Sequence, residues 1–396
     1  MSIKVKGFFK DVGGASRVTE MRRENNKNAS AIPDSKDFVR ELADALHPAS
    51  MRFRVTAIEE ASPTARTFRL ESVDGHIPVF QCGQYVNFRL KIGDSIVSRP
   101  YTIASAPYEA RGNKPFIEIT VRRNVSYFVP DYLFENVGIG DILEGNMPFG
   151  TFYWEPLRDT KDIVGLAGGS GITPFYSMAK EIAKGKMKDC TLTILYGSAK
   201  SDDIILKSKL EALCEECKNV RVIHILSDDP DWRGEKGFIS KEIIEKYSTK
   251  GCTYFFCGPP VMYRFVSKIL KEMEIPERRF RHDVVANPSD VSILPGYPKG
   301  TEKEVFKITV IRGIHEDVIK ASAAEPVAVS LERAGIPIDT HCRGGECGFC
   351  RSQLLEGKIF VSPVGDGRRM MDKEMGWFHA CASWPLTDLK IKIPIM

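Results

Sequence analysis

The sequence predicts a multidomain protein in which an antiparallel β-barrel, an α/β domain with a parallel sheet, and a small α+β domain follow one another. Three observations predict this order. Alternating, β-branched runs fill the first third of the chain, apolar strands alternate with helical stretches in the middle, and four cysteines fall into one pattern near the C-terminus. A chain of 396 residues with 43% hydrophobic residues is long enough for two or three packed domains.

Residues 1–50 are predicted to be an N-terminal extension of unknown role. Its last part, 34–46, places Phe38, Leu42 and Leu46 at helical spacing behind a polar cap, which predicts a short amphipathic helix. From 51 to 156 the pattern changes to runs such as RFRVTAI, TFRLESV, YVNFRLKI and FIEITVRR, broken by Gly, Pro, Asn and Asp. Such runs are typical of antiparallel strands, and we expect a small barrel.

The region 157–288 alternates apolar strands with helical stretches, the pattern of a parallel βαβ sheet. The strands are IVGLAG, TLTILYG, VRVIHILS and TYFFCG. Residues 289–303 are rich in Pro, Gly, Ser and charge, so we expect a linker there. A strand-rich unit, 304–396, completes the chain.

Charge and composition exclude several classes of protein. The formal net charge is only +4 and no long Lys/Arg run appears, so we expect no nucleic-acid partner. No stretch approaches the roughly 18 uninterrupted apolar residues of a membrane span, and the N-terminus lacks the apolar core of a signal peptide. We therefore expect a cytoplasmic protein without a membrane span. Ten cysteines are sparse for this length, and their distribution favours metal ligation in a reducing compartment.

The cysteines Cys342, Cys347, Cys350 and Cys381 have the C-x4-C-x2-C…C spacing of plant-type [2Fe-2S] proteins. Three thiolates on one glycine-rich loop and a fourth from a distant segment can surround two irons. Structural zinc sites usually use two pairs of ligands, each spaced as C-x2-C or as a Cys/His pair. The spacing of these four cysteines differs from that pattern. His341, beside the first cysteine, is interpreted as a surface or loop residue because four cysteines already complete the set. The whole unit resembles plant-type ferredoxins, which implies a β-grasp fold.

A glycine-rich turn follows the first strand of the parallel domain and precedes a helix. Its residues are Gly168, Gly169, Gly171, Thr173 and Pro174. Free N–H groups at a helix N-terminus favour a pyrophosphate, whereas tight strand-to-helix packing alone would also explain such a turn. A GGxGxTP turn of this kind and a late Cys-Gly-Pro-Pro are shared with the ferredoxin-NADP reductase superfamily, which the chain resembles from Arg52 to about Asp283. By that resemblance, Cys257, Gly258 and Pro259 line the nicotinamide site, and Cys257 is a catalytic residue.

The segment Arg99-Pro100-Tyr101-Thr102 matches the superfamily's Arg-x-Tyr-Ser/Thr flavin motif. An arginine can hold a flavin phosphate, a tyrosine can cover the flavin ring, and a hydroxyl can bond near flavin N5, which makes Thr102 the second candidate catalytic residue. The resemblance also implies that Val121, Arg122 and Gly150 contribute to cofactor binding.

One position departs from the superfamily pattern. FAD-binding members usually show Gly-Gly followed by a helix-opening Ser, where this chain has Ser126, Tyr127 and Pro130. A proline cannot donate a hydrogen bond, so this phosphate site must be built differently. We expect FAD, and FMN, as in reductases of the phthalate dioxygenase type, stays open. NADH and NADPH also both stay open, because Asp202 and Asp203 disfavour a 2′-phosphate whereas Ser198 and Lys200 favour one.

The domain order resembles the reductase components of multicomponent oxygenases, phenylacetyl-CoA epoxidase reductases and hybrid-cluster-protein reductases. The resemblance implies that NAD(P)H reduces the flavin and that single electrons pass through the [2Fe-2S] cluster to a protein acceptor. Two alternatives remain: direct flavin reduction of a small organic acceptor, and a non-enzymatic redox-sensing module.

Overall fold

The computed structural model describes residues 8–27, 36–123, 128–284 and 287–394. The chain falls into two compact units, 1–46 and 47–396. The first unit contains α1 (Phe8–Lys27) and α2 (Phe38–Leu46). The predicted amphipathic helix is therefore confirmed as α2, and its apolar residues Phe38 and Leu42 are exposed. Helix α1 was not predicted.

The flavin-type barrel is a six-stranded antiparallel sheet with the strand order β4-β3-β6-β1-β2-β5. An isolated bridge between Ile103 and Ile119 joins its two edges, which closes the barrel. Alternate residues of the first strand, Met51, Phe53 and Val55, point into the core, as a period of two requires. Its elements are β1 (Met51–Ser62), β2 (Ala65–Ser72), β3 (Tyr85–Ile92), β4 (Ser95–Thr102), β5 (Phe116–Arg122), α3 (Phe128–Asn136) and β6 (Ile142–Phe149).

The second domain is a parallel sheet with the order β10-β9-β8-β7-β11-β12, and every strand pair in it is parallel. Apolar clusters lie on both faces of the sheet, which is why its strands are continuously apolar in sequence. Its elements are β7 (Asp162–Gly168), α4 (Thr173–Ala183), β8 (Thr191–Ser198), α5 (Lys207–Glu216), β9 (Val220–Leu226), β10 (Glu235–Lys236), α6 (Lys241–Tyr247), β11 (Thr253–Cys257), α7 (Pro260–Glu272) and β12 (Phe280–His282).

The third domain is a mixed five-stranded sheet, β14-β13-β19-β15-β17, with a two-stranded sheet, β16-β18. The central pair β13 and β19 is parallel, and the other pairs are antiparallel. Its elements are β13 (Val305–Arg312), β14 (His315–Ser322), α8 (Val327–Arg333), β15 (Arg351–Glu356), β16 (Ile359–Val361), α9 (Met370–Glu374), β17 (Trp377–His379), β18 (Ser383–Pro385) and β19 (Leu389–Lys392).

The segment predicted as a linker is packed against the third domain. Val291, Leu294 and Tyr297 are buried in one cluster with Trp384, and the Tyr297 hydroxyl donates to the carbonyl oxygen of Ala323 at 2.9 Å. Composition did not reveal this packing, because a few apolar residues among Pro, Gly and Ser are enough to bury one face. No helix in the described part of the chain is long and apolar enough to cross a membrane.

Candidate functional site

The four predicted cluster cysteines come together on one side of the third domain. Three of them, Cys342, Cys350 and Cys381, are buried, and Cys347 is exposed. Contacts with Cys347 and Cys381 and the amides of Cys347 and Gly344 lower the pKa of the Cys342 thiol, and the same thiol contacts raise the pKa of Cys347 and Cys381, so the four sulfurs lie close together. In the part of the chain that the structure describes, no three Cys, His, Asp or Glu side chains converge on a single point. A binuclear cluster does not need this, because each iron takes two of the thiolates.

The backbone of the cluster loop, residues 341–350, is shaped to hold these sulfurs. Gly344 and Cys347 both point an N–H group at the Cys342 sulfur, at 3.4 Å. Gly345 has φ +90°, and a Cβ there would lie 2.8 Å from the Ala382 side chain. The loop therefore needs glycine where it passes close to the segment that carries Cys381, and its residues fit a [2Fe-2S] cluster.

His341 is in a loop, as predicted, but the expectation of a surface position is wrong. Its side chain is buried, its ring stacks on Phe349 at 3.7 Å between centroids, and it meets the edge of Phe149 at 4.3 Å. Phe149 belongs to the barrel, so His341 lies in the contact between two domains. The sequence could not show this contact, because the partner is almost two hundred residues away.

The two glycine turns of the parallel domain meet at the carboxyl ends of β7 and β11, which are adjacent strands. A Cβ at Gly171 would lie 2.1 Å from the carbonyl oxygen of Cys257, and one at Gly168 would lie 2.5 Å from the sulfur of Met262. Gly258 and Pro259 belong to the same contact. A side chain at Gly171 would collide with backbone, whereas one at Gly168 would have to displace Met262, and as glycines both turns present backbone.

The N-terminus of α4 lies directly behind the first turn. Thr173 and Pro174 open this eleven-residue helix, and the Thr173 hydroxyl donates to the carbonyl oxygen of Ser170 at 3.1 Å. From the barrel, Arg122 brings its Nη1 to 2.8 Å from the position of a Gly169 Cβ. The N-terminus of α4, the backbone of the glycine turn and the guanidinium of Arg122 together fit the pyrophosphate of a dinucleotide.

Asp283 completes this site and was missed by sequence reasoning. It follows β12, and the Cys257 thiol donates to its Oδ2 at 3.5 Å. Burial raises the pKa of Asp283 and also raises the pKa of Cys257 well above its usual value. The available signal was its position, since a carboxylate directly after the last parallel strand must lie at the edge of the sheet that carries the other site residues.

The flavin motif lies on β4, where Tyr85 of β3 pairs with Thr102 and Asn87 pairs with Pro100. Tyr101 and Thr102 are half-buried. Burial and then the charges of Cys347 and Cys342 raise the pKa of Tyr85, so the cluster loop lies beside this strand.

The remaining predicted flavin residues lie on the neighbouring strands. Gly150 has φ +98° and accepts a hydrogen bond from Gln84 Nε2 at 3.1 Å. Val121 is a core residue of the barrel, with an exposed fraction of 1%. Ser126 and Tyr127 are outside the described residues, and Pro130 lies in the first turn of α3.

Arg99 contacts the ferredoxin domain, which the sequence did not indicate. Glu332 of α8 lies 3.5 Å from Arg99 and is doubly hydrogen-bonded by Arg343 of the cluster loop. Burial, followed by the charge of Arg343, lowers the pKa of Arg99 to about 10. Two guanidinium groups share one carboxylate here, and the excess positive charge fits a flavin phosphate.

Asp203, one of the two acidic residues after β8, contacts the barrel. Its carboxylate accepts hydrogen bonds from the Ser62 and Thr64 hydroxyls at 2.6 and 2.7 Å and from Arg122 at 2.8 Å. The two acidic residues therefore have different surroundings. Asp203 bonds the parallel domain to the barrel, whereas Asp202 is exposed.

Three domain families match the chain in the order that the fold displays. They are the oxidoreductase FAD-binding domain at 52–154, the oxidoreductase NAD-binding domain at 166–268 and the 2Fe-2S iron-sulfur cluster binding domain at 315–386. NADH-cytochrome b5 reductase 1 of Dictyostelium discoideum is 32% identical over 199 residues, which are 49% of this chain and 68% of that protein. The chain belongs to the ferredoxin-NADP reductase family. It carries a C-terminal 2Fe-2S ferredoxin domain in addition.

Two further comparisons extend across that added domain. The glycine betaine monooxygenase reductase subunit of Chromohalobacter salexigens is 25% identical over 345 residues, 83% of this chain and 91% of that protein. The solved structure of phthalate dioxygenase reductase superposes with a TM-score of 0.64 and 18% identity, over 88% of this chain and 98% of that one. Several other cytochrome b5 reductases are matched over only 54–59% of their length. This family member is an NAD(P)H oxidoreductase that uses FAD and a [2Fe-2S] cluster.

Proposed function

We propose that this reductase takes a hydride from NADH or NADPH beside Cys257 and delivers single electrons from its cluster to the oxygenase component of a two-protein system. One observation carries the proposal: the cluster loop touches the strand of the flavin motif. Arg343, next to the first cluster cysteine, donates to the carbonyl oxygen of Ser98 at 3.1 Å, and Ser98 directly precedes Arg99. Cluster and flavin sites are therefore neighbours in one chain.

Bound FAD accepts a hydride and gives up its electrons singly, and the [2Fe-2S] cluster carries one electron at a time. The chain's own residues position these groups. Arg99 binds the flavin phosphate, Tyr101 covers the flavin ring, and the Thr102 hydroxyl donates a hydrogen bond to it. Gly150, whose position leaves no room for a side chain beside Tyr85, lets the ring approach the backbone.

The two glycine turns would hold the nicotinamide cofactor. The backbone N–H groups of Gly168, Gly169 and Gly171 and the guanidinium of Arg122 would bind its pyrophosphate. The Cys257 thiol stays protonated because burial raises its pKa, and it donates to Asp283, so this pair lines the nicotinamide pocket. Excluding water there protects the hydride during transfer.

Cys342, Cys347, Cys350 and Cys381 hold the two irons. The amide groups of Gly344 and Cys347 that point at the Cys342 sulfur stabilise negative charge on the cluster. Cys347 is the exposed ligand, so electrons leave most directly on its side of the loop. The domain boundaries that go with this function are 51–156, 157–288 and 304–396.

The choice of an oxygenase as acceptor rests on coverage. The glycine betaine monooxygenase reductase subunit is similar to this chain across all three domains, whereas cytochrome b5 reductase 1 matches about half of it. An added cluster domain is needed only if electrons leave the flavin one at a time toward a protein that docks elsewhere.

The first test is an anaerobic visible titration of the purified protein with NADH and, separately, with NADPH, followed by acid release of the flavin. We expect FAD to be released, the flavin band to bleach first, and the cluster absorbance to fall afterwards. A flavin that neither nucleotide reduces, in protein that retains its cluster, would refute the enzyme and favour a redox sensor. Reduction of a small two-electron acceptor by a variant without a cluster, at the wild-type rate with that acceptor, would argue against a protein acceptor.

A further inference from the structure

A buried carboxylate joins the cluster loop to the rest of the ferredoxin domain. Glu332 lies on α8, and only 2% of it is exposed. Arg343 donates to both of its oxygens, from Nη1 to Oε1 at 2.6 Å and from Nη2 to Oε2 at 3.0 Å. Such a two-pronged pair fixes orientation as well as distance, so Glu332 sets the position of the loop directly after Cys342.

The same carboxylate reaches across the domain boundary into the flavin motif. The amide of Ser98 donates to Glu332 Oε1 at 3.4 Å, and Arg99 Nη1 lies 3.5 Å from Oε2. Both oxygens therefore contact the ferredoxin domain and the barrel at once.

Charge explains why a carboxylate is needed at this point. Arg99 and Arg343 lie on opposite sides of the boundary, and burial followed by the charge of Arg343 lowers the pKa of Arg99. Without an anion between them the two guanidinium groups would repel and the two domains would separate locally. An amide of the same size could accept hydrogen bonds but could not neutralise the repulsion.

We propose that Glu332 is a positioning residue that holds the cluster loop on the flavin motif, so that electron transfer from flavin to cluster depends on a carboxylate at position 332. The inference rests on the proposed function and deepens it. Arg99 then binds the flavin phosphate on one side and Glu332 on the other. The geometry of the flavin site is thereby linked to that of the cluster site.

Two neighbouring contacts stay in place when Glu332 is changed. Asn87 of the barrel donates to the carbonyl oxygen of Thr340 at 3.0 Å, and Phe149 packs on His341. The ferredoxin domain therefore remains docked, and we expect electron transfer to slow rather than stop.

The test compares Glu332→Gln with Glu325→Gln in the holoenzyme by anaerobic stopped flow with NADH. Glu325 is a matched control, because it pairs with Arg333 on the surface of the same domain. In Glu332→Gln we expect an unchanged rate of flavin bleaching and a rate of cluster reduction lowered about tenfold, as expected for a misplaced donor and acceptor. Reduction of ferricyanide directly from the flavin should stay unchanged, and Glu325→Gln should match the wild type throughout.

A second readout is independent of turnover. Hydrogen exchange should increase at the amide of Ser98 in Glu332→Gln and not in Glu325→Gln, while the electron paramagnetic resonance signal of the dithionite-reduced cluster stays intact. If Glu332→Gln is purified without its cluster, Glu332→Asp is measured in the same way, since it keeps the charge but is too short to reach both domains. Cluster reduction at the wild-type rate in a variant with an intact cluster would overturn the proposal. A rate of flavin bleaching that falls as much as the rate of cluster reduction would also overturn it. Failure of the proposed function itself would differ, because NADH would then not reduce the wild-type cluster.

Discussion

The barrel has two interfaces that are built in different ways. Toward the parallel domain, polar contacts are spread over many elements: Asp203 binds Ser62, Thr64 and Arg122, while Lys180 pairs with Glu109 and Glu118. Toward the ferredoxin domain, the described charged contacts centre on Glu332 and its partner Arg343, which also donates to Ser98, with the Asn87 hydrogen bond and one aromatic group beside them. A distributed interface tolerates the loss of a contact, whereas a concentrated one depends on a few residues.

The difference corresponds to the two kinds of transfer. Hydride transfer requires donor and acceptor atoms in contact, so the barrel and the parallel domain must be held rigidly. Electron transfer tolerates a gap, so the ferredoxin domain can be held at fewer points. Four substitutions test this difference between the two interfaces.

The largest effect is expected for Cys350→Ala, which removes a buried cluster ligand. Reduction of a one-electron acceptor such as cytochrome c should be abolished, because the cluster is lost. Bleaching of the flavin by NADH should continue, since the interface with the parallel domain is untouched. Stopped-flow spectra of the two steps measure this, and loss of flavin bleaching in a folded variant would contradict the division of labour.

Gly171→Ala should act on the nicotinamide site within the parallel domain. The added methyl would lie 2.1 Å from the carbonyl oxygen of Cys257, so the two glycine turns must move apart. We expect the rate of flavin bleaching by NADH to fall by about 10- to 100-fold because the nicotinamide is displaced. Gly138→Ala is the control, since a methyl there would lie no closer than 3.9 Å to its nearest neighbour. Chemical reduction of the cluster by dithionite should be normal in both.

Asp203→Asn tests whether the distributed interface is stabilised by charge. Burial would raise the pKa of Asp203, but hydrogen bonds from Ser62 and Thr64 and the charge of Arg122 lower it below its usual value. The ionised form is therefore favoured by folding, and its contribution is present above the usual Asp pKa near 4 and lost as the pH falls below it.

We expect Asp203→Asn to lower the free energy of unfolding by about 1–3 kcal/mol at pH 7, the range for hydrogen bonds to a charged group. The difference from the wild type should shrink below pH 4. Denaturant unfolding at several pH values measures it, with Asp189→Asn as the exposed control, whose pair with Lys161 should contribute nothing measurable. A difference that stays constant with pH would show that the carboxylate's charge is irrelevant.

The smallest effect is expected for Asn87→Ala, which removes the hydrogen bond to Thr340. One neutral hydrogen bond contributes about 1 kcal/mol, so electron transfer from flavin to cluster should slow by no more than about twofold. The same stopped-flow experiment used for Glu332→Gln measures this. If Asn87→Ala were as slow as Glu332→Gln, the interface with the ferredoxin domain would not be concentrated on one carboxylate.

Much of the fold could be predicted because the determining patterns are local. Alternation with a period of two predicted the barrel strands, and apolar strands between helices predicted the parallel sheet. The cluster ligands followed from spacing, since three cysteines within nine residues can reach a common centre through one loop. The same holds for the turn at Gly171, where only glycine fits the close approach of two backbones.

Contacts between domains were beyond the sequence. Asp203, one of an acidic pair in the sequence, binds the barrel, and His341, predicted to be a surface or loop residue, is a buried loop residue that packs on Phe149. In each case the partner comes from another element, so no spacing rule connects the two.

The sequence by itself thus predicted a flavin, a nicotinamide cofactor and a [2Fe-2S] cluster, because each cofactor motif is a short, covalently fixed arrangement of residue types. Only the tertiary structure decided how the sites are joined. Glu332 is 11 residues from Arg343 but 233 residues from Arg99, and the carboxylate lies between them only because the ferredoxin domain docks on the barrel in one orientation. That orientation is set by packing and buried charge, which no local pattern encodes.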